Sequence, residues 1–242
     1  MLIQERPLGL RLIRQHDHGL LAGQLASCWQ LGSQRLAWPT VLATALHDVV
    51  WLDQDLHPRL DPGTGRPYDF LTIPSATRRS LLEVGLTRLH AVEPELAGLV
   101  QAHHDALAST TPADPSSEAA WVAFFDHLSL FVCLTEPGGF PCIHPPWLAF
   151  PRRAPSGHVV DVRWRSEGRI ALSPYPFGPR RLEVTIPFRE LGRRRFETAC
   201  MLQKAWDAAP DRLWHVVFED ADPRGHPRKG ESSRPTGSAD DS

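Results

Sequence analysis

The sequence predicts a mainly α fold: a helical bundle over residues 1–136, a small mixed α+β subdomain over 137–218 packed on it, and a disordered tail over 219–242. Two observations carry this expectation. As far as Thr135, apolar residues recur at three- and four-residue steps, which is helical spacing. After Pro137-Gly138-Gly139 the composition shifts to short strand-like stretches. A chain of 242 residues that is 42% apolar and 22% charged can bury one sizeable core, which excludes intrinsic disorder as its main state.

The first helix is expected from Asp17 to Trp29, where Leu21, Ala22, Leu25, Ala26 and Trp29 share one spacing and Gly32-Ser33 closes the element. The next runs from Thr40 to Leu52, reading VLATALHDVVWL, nearly apolar all round, with Pro39 where a helix accepts it. Pro58, Pro62-Gly63, Gly65, Pro67 and Pro74 make Asp53 to Ser75 a long loop, and such loops are usually functional or mobile. Helices return at Ser75–His90 and at Pro94–Leu107, the latter with Leu96, Leu99, Val100, His103 and Leu107 on one stripe. After a break from Thr110 to Pro115, Ser116-Ser117-Glu118 caps a helix through Thr135 that contains AAWVAFFDHLSLFVCL. Strands are expected at His158–Trp164, Arg169–Leu172, Leu182–Ile186 and Leu213–Phe218, with a helix at Arg194–Ala208. From Glu219 onward no apolar anchor remains.

The formal charge is −2, from 26 Lys and Arg against 28 Asp and Glu, so no global field attracts nucleic acid or an anionic membrane. Only Lys204 and Lys229 are lysines, a compositional bias and not a phosphate signature. The four cysteines, at 28, 133, 142 and 200, form no C-x-x-C pair, and the N-terminus carries charges at Glu5, Arg6 and Arg11 with no leader-like apolar run. A reduced, cytoplasmic protein with no membrane span is the expectation.

The chemistry lies in polar residues on apolar helices. His47-Asp48 sits in the middle of VLATALHDVVWL, and Asp126 sits inside Trp121–Leu134. A helix apolar on every side is buried, and a carboxylate there costs several kcal/mol, on the order of the penalty for one buried ion, unless paired or bound to a metal. With no lysine or arginine in either helix, the two carboxylates call for a shared cation. His18, in the first turn of the first helix, and His103 and His104, on the Pro94–Leu107 stripe, are placed to complete its shell. Mixed imidazole and carboxylate ligation suits one or two divalent transition ions, Mn, Fe, Co, Ni or Zn, better than calcium. Adjacent helical residues point about 100° apart, so only an ion near the helix surface between them takes both His47 and Asp48.

This order, a His, a His-Asp pair and a distant Asp on helices, resembles the His-Asp (HD) superfamily of metal-dependent phosphohydrolases. The resemblance covers roughly residues 15 to 135 and makes the expected bundle HD-domain-like. VQAHHDAL further resembles the His-His-acid motif of the two-metal branch. That branch also carries a Gly-Tyr-Pro triplet, which Ala106–Pro112 lacks, so cyclic dinucleotide cleavage is not expected. QHDHGLLAGQLA, ALHDVVWLDQD and GTGRPYDF together look like an uncharacterised bacterial family of unknown function.

The resemblance implies that His18, His47, Asp48 and Asp126 ligate a first ion, while His103 and His104 reach a second ion or the substrate phosphate. The substrate is then a small phosphate ester or nucleotide, with no nucleic-acid polymer or membrane as partner. A ligand carboxylate (Asp48) or a free histidine (His104) protonates the leaving group. Arg78 and Arg79, after the long loop, are the candidates for gripping phosphate. The loop, with Asp53, Asp55, Tyr68 and Asp69, forms a wall or lid, or its acids support the ligands. Two rival functions stand beside the hydrolase: a di-iron oxygenase with the same helical ligand set, and a non-catalytic binding or regulatory module with a structural ion.

Each assignment has a plainer reading. His18 competes with His16 and can be an exposed helix-end residue; His103 and His104 can be satisfied core histidines. Arg78 and Arg79 can be a solvated face. His90, His127, His144 and His158 read as structural or exposed, and Trp121, Phe124, Phe125 and Phe131 as core. Cys142-Ile143-His144 lacks the second pair a zinc site needs, and Asp53-x-Asp55 lacks the glycine and glutamate of a calcium loop.

Overall fold

Residues 2–13 form two strands that the sequence reading did not anticipate: β1 (Leu2–Arg6) and β2 (Gly9–Ile13), paired antiparallel from Leu2↔Ile13 to Arg6↔Gly9. This computed structural model describes residues 1–31, 35–109, 114, 116–135, 137 and 146–222. β2 continues sideways onto a strand at the far end of the chain, β8 (Arg181–Leu191), through Leu10↔Leu191, Arg11↔Glu190 and Leu12↔Arg189. Gly9 permits that approach, because a Cβ there would lie 1.8 Å from the Leu191 carbonyl oxygen.

With β5 (Arg152–Arg153), β6 (Val159–Ser166), β7 (Arg169–Ser173) and β9 (Arg212–Asp220), these strands make one sheet of seven in the order β1-β2-β8-β9-β7-β6-β5. All pairings are antiparallel except β7 with β9, so the sheet is mixed, and it curls into a half-barrel. Alternation fixes its faces: Leu182, Val184, Ile186 and Phe188 of β8 are buried, while Glu183 and Thr185 between them are exposed.

The expected mainly helical, HD-domain-like bundle with a small C-terminal α+β subdomain is therefore corrected. The fold is α+β, and the sheet is a major layer that draws strands from both ends of the sequence. The physical reason is that the β1–β2 hairpin joins the C-terminal strands through β8, about 180 positions away, and local apolar spacing carries no record of such a pairing.

The helices are α1 (Gln15–Ser27), α2 (Trp38–Leu46), α3 (Leu52–Leu56), α4 (Ser75–Val92), α5 (Pro94–Ala108), α6 (Glu118–Leu134) and α7 (Ala199–Ala208). Ser117 caps α6 as its position implies, its Oγ accepting from the Ala120 N–H at 3.2 Å. Two spans differ from expectation. The helix expected over 40–52 stops at Leu46, and a short 3-10 turn, Val49–Trp51, leads into α3. The helix expected from Arg194 starts only at Ala199, where Thr198 accepts from the Met201 N–H at 3.2 Å. The long loop holds a two-stranded hairpin, β3 (Leu60–Asp61) with β4 (Arg66–Pro67), turned by Gly65 at φ +69°. β9 reaches Asp220; of the expected disordered tail, residues 223–242 lie outside the described residues, as do Cys142 and His144.

α1 and α6 pack together, α1 against β8 and α6 against β1, and α2 and α5 close over them. The main core lies between helices and sheet around Trp29, which meets Trp121, Phe124 and Phe125 edge-on at centroid distances of 5.3, 5.5 and 5.6 Å. Each such fully buried aromatic contributes roughly 1.5–3 kcal/mol. α1 crosses α2 at unusually short range because Gly19 and Gly23 face Ala45: a Cβ on Gly23 would stand 2.4 Å from the Ala45 Cβ.

Candidate metal centre

The close crossing of α1 and α2 brings His18 beside His47, with ring centroids 5.0 Å apart. The start of α1 is held from outside, because the His16 N–H, unpaired within the helix, donates to Asp55 Oδ2 at 3.0 Å. Asp55 itself is fully buried, and its other oxygen lies 3.3 Å from the Met1 amino nitrogen.

The break at residues 47 and 48 resolves the difficulty of aiming neighbouring side chains at one point. His47 caps the C-terminus of α2 just after Leu46, and Asp48, at φ −106° and ψ 16°, leaves the helix. Both side chains then face the same space: Asp48 Oδ2 lies 3.1 Å from His18 Nε2 and 3.7 Å from His47 Nε2. Asp126, from the middle of α6, enters from the opposite side, with Oδ1 at 3.7 Å from His18 Nε2 and 3.3 Å from His47 Nε2. Its Oδ2 lies 3.6 Å from His103 Nε2 on α5. Of these five residues, His18, His47 and His103 are 1% exposed and the two aspartates 6%, so water compensates none of them well.

The ring nitrogens are oriented toward the centre. His47 Nδ1 donates to the Thr44 carbonyl at 2.7 Å, so Nε2 is the nitrogen turned to the carboxylates, where a proton or an ion can sit. Ser129 Oγ gives its hydrogen to the Asp126 carbonyl at 2.8 Å, so at His18 Nδ1, 3.4 Å away, it can only accept; that leaves His18 Nε2 bare. His47 Nε2 and both ring nitrogens of His103 are buried without a hydrogen-bond partner. Donor atoms bound at about 2.0–2.2 Å to one ion stand about 3.0–3.6 Å from each other, and the imidazole–carboxylate separations here, from 3.1 to 3.7 Å, come close to that spacing. One ligand atom each from His18, His47 and Asp126 falls within 4.8 Å of the others, a buried group able to hold a metal ion. Nothing in the group distinguishes one transition metal from another.

Electrostatics follow from burial and from this crowding. Burial, reinforced by the His47 charge, lowers the His18 pKa to about 3. Burial takes His103 to about 3 and His104 to about 4. Burial likewise opposes charge on His47, but Asp48 and Asp126 outweigh it and raise His47 to about 9. Burial raises Asp48 to about 7, whereas the surrounding imidazoles, His47 first, overcome the same penalty at Asp126 and hold it below its ordinary value. In the metal-free protein a proton on His47 thus occupies the position of a cation.

The remaining candidates stand apart from this group. His104 directs Nε2 to the His47 carbonyl at 3.0 Å, so that nitrogen buttresses the break instead of joining the centre. Arg78 Nη2 donates to the Phe70 carbonyl at 2.5 Å, and Arg79 is exposed. In the loop, Asp53 pairs with Arg88 at 3.1 Å and Tyr68 Oη reaches Asp61 at 3.5 Å; only Asp55 supports a helix of the centre. His16 is not in the group, and His127 is occupied with the Trp147 carbonyl. Sequence reasoning missed Gln15, whose Nε2 donates to Asp48 Oδ2 at 3.0 Å, and Ser129. Their spacing was the available signal: Gln15 precedes His18, and Ser129 follows Asp126, by one helical turn.

Fold and centre together define an α+β protein whose helical layer encloses a His-His-Asp group of metal-binding geometry. The chain belongs to the family described as Protein of unknown function (DUF3891), which matches residues 1–117 and 106–193. No curated protein and no solved structure matches it. Among the described residues no helix is long and apolar enough to cross a membrane.

Proposed function

We propose that the protein is a metal-dependent phosphohydrolase acting on a small phosphate ester or nucleotide, related in its helical layer to the HD superfamily. The observation that supports this reading is the convergence of His18, His47, Asp48 and Asp126, in that sequence order, with the Nε2 atoms of both histidines facing buried carboxylates. His18, His47, Asp126 and Asp48 hold the ion, and His103 lies alongside Asp126. When bound, the ion supplies a Lewis acid for a phosphoryl oxygen and lowers the pKa of a water molecule. His104 is neutral at pH 7 and, with Nε2–H committed to the His47 carbonyl, has Nδ1 as a proton acceptor. It therefore carries no proton to give a leaving group, and at a pKa of about 4 it is also a weak base.

One observation favours a second reading. At no more than 6% exposure, the ligand residues are shielded as in a structural site, which supports a binding or regulatory module with a resident ion. Elemental analysis of the purified protein, followed by a panel of phosphomonoesters, phosphodiesters and nucleotides with Mn, Fe, Co, Ni and Zn, separates these. About one or two ions per chain with turnover that is lost in Asp126→Asn supports the hydrolase. A tightly held ion without turnover supports the module, iron absorbance with oxygen consumption supports the oxygenase, and absence of any bound ion refutes the metal centre.

A further inference from the structure

We propose that Gln15 is a positioning residue of the centre: its amide N–H fixes Asp48, and its carbonyl oxygen accepts a hydrogen bond from a water or hydroxyl group entering the centre. This rests on the metal-dependent reading and extends it to a residue outside the histidine and aspartate set.

Gln15 opens α1 and lies three positions before His18, on the same side of the helix. It is 2% exposed, and its Nε2 donates at 3.0 Å to Asp48 Oδ2, the oxygen that also lies 3.1 Å from His18 Nε2. Asp48 has left the helix. Its carboxylate is steered by this amide rather than by the backbone geometry of a helical turn.

When Asp48 is ionised, as a metal ligand must be, the amide has one permissible orientation. Reversing it would set Oε1 against a carboxylate, acceptor against acceptor. Oε1 must therefore point away from Asp48, and there it is buried with no hydrogen-bond partner. A buried carbonyl oxygen left in that state is destabilising, a cost that leucine or methionine at this position would avoid. With an ion in place, His18 Nε2, His47 Nε2 and the two carboxylates face it as acceptors, and Gln15 Oε1, beside Asp48, is an acceptor that still lacks a donor. A lining of acceptors requires donors from outside the protein. The ion satisfies the His and Asp atoms, and an O–H group satisfies Oε1.

The test uses Co(II) as the probe, in the whole chain, with wild type, Gln15→Met, Asp48→Asn and the double variant. Gln15→Met is expected to weaken Co(II) binding about 10–100-fold, the usual cost of losing an outer partner of a ligand, and to shift the visible bands of bound Co(II). In the Asp48→Asn background the same change is expected to cost less than about twofold, because its effect runs through Asp48. In a crystal structure of the Co(II)-loaded wild type, a water or ligand oxygen is expected within about 3.2 Å of Oε1. Unchanged affinity and spectrum in Gln15→Met, full additivity with Asp48→Asn, or a dry Oε1 overturns the proposal while leaving the metal reading intact. A wild-type protein that binds no Co(II) overturns both. Should Gln15→Met fail to fold, Gln15→Leu replaces it, since it also removes the amide without adding a charge.

Discussion

Asp126 faces three imidazoles with its two carboxylate oxygens, at 3.7, 3.3 and 3.6 Å from His18, His47 and His103. Asp126→Asn keeps the shape and removes the charge. Metal affinity, measured by competition with a chromogenic chelator, is expected to fall by more than about 100-fold, beyond what loss of an outer partner costs. The neighbouring His47 sets the pH dependence. Its folded pKa is raised from 6.5 to about 9, so its stabilising proton is fully present below pH 6.5 and is lost as the pH climbs through 9. His18, His103 and His104 titrate near 3 to 4, so between pH 7 and 9 the cluster changes charge at Asp48, which completes its ionisation just above 7, and then at His47; both pKa values are raised by folding, so both act in the same direction. Two opposite trends are expected in that window. The metal-free protein loses stability as the pH rises, by up to about 1.4 kcal/mol per unit, while metal affinity grows, because the ion no longer competes with a proton. Thermal unfolding with and without added metal at pH 7, 8 and 9 checks both; parallel curves would refute the assignment of His47. At this scale the sequence was informative where burial makes charge expensive: Asp126 within AAWVAFFDHLSLFVCL announced itself by its cost. Gln15 and Ser129 are uncharged and raise no such alarm. His104 sits beside His103 in the sequence, and only the course of the backbone sends its Nε2 to a carbonyl instead.

At the scale of elements, the distance between α1 and α2 governs the centre. Gly23 leaves no space for a methyl group against Ala45, so Gly23→Ala forces the helices apart. The expected result is a loss of about 1–3 kcal/mol, typical of overpacking, accompanied by weaker metal binding as His18 retreats from His47. Denaturant unfolding and chelator competition on the same sample measure the two effects; retained affinity in a destabilised variant would show that the centre is indifferent to this crossing. The helices themselves were legible because each shows a 3.6-residue pattern and an interpretable start, such as Ser117 for α6. The interruption after His47 was not. VLATALHDVVWL has the composition of an unbroken helix, and nothing local in it marks the turn that sets Asp48 beside His18.

For the whole molecule, the sheet joins strands at residues 2–13 to strands at 152–220, and the helices that bear the centre are threaded between them. A fragment ending at residue 136 would lack β8, the partner of β2, and the sheet face on which α1 packs. It is expected to lack cooperative unfolding and to aggregate, as size exclusion and circular dichroism would show; a monodisperse, cooperatively melting fragment would contradict this. The β8 and β9 stretches were visible in the sequence as strands, yet their reach to the N-terminus was not, because pairing across the length of a chain is decided by the fold and not by local pattern.

The antiparallel match of Leu10 with Leu191 carries a consequence for biosynthesis. A ribosome releases β2 long before β8 exists, so the nascent chain exposes an apolar strand edge throughout translation of the intervening segment. Completion of the sheet must wait until the last strands emerge. During that interval the unfinished polypeptide is a natural client for holding chaperones, and its yield in a cell depends on how fast synthesis supplies the missing neighbour.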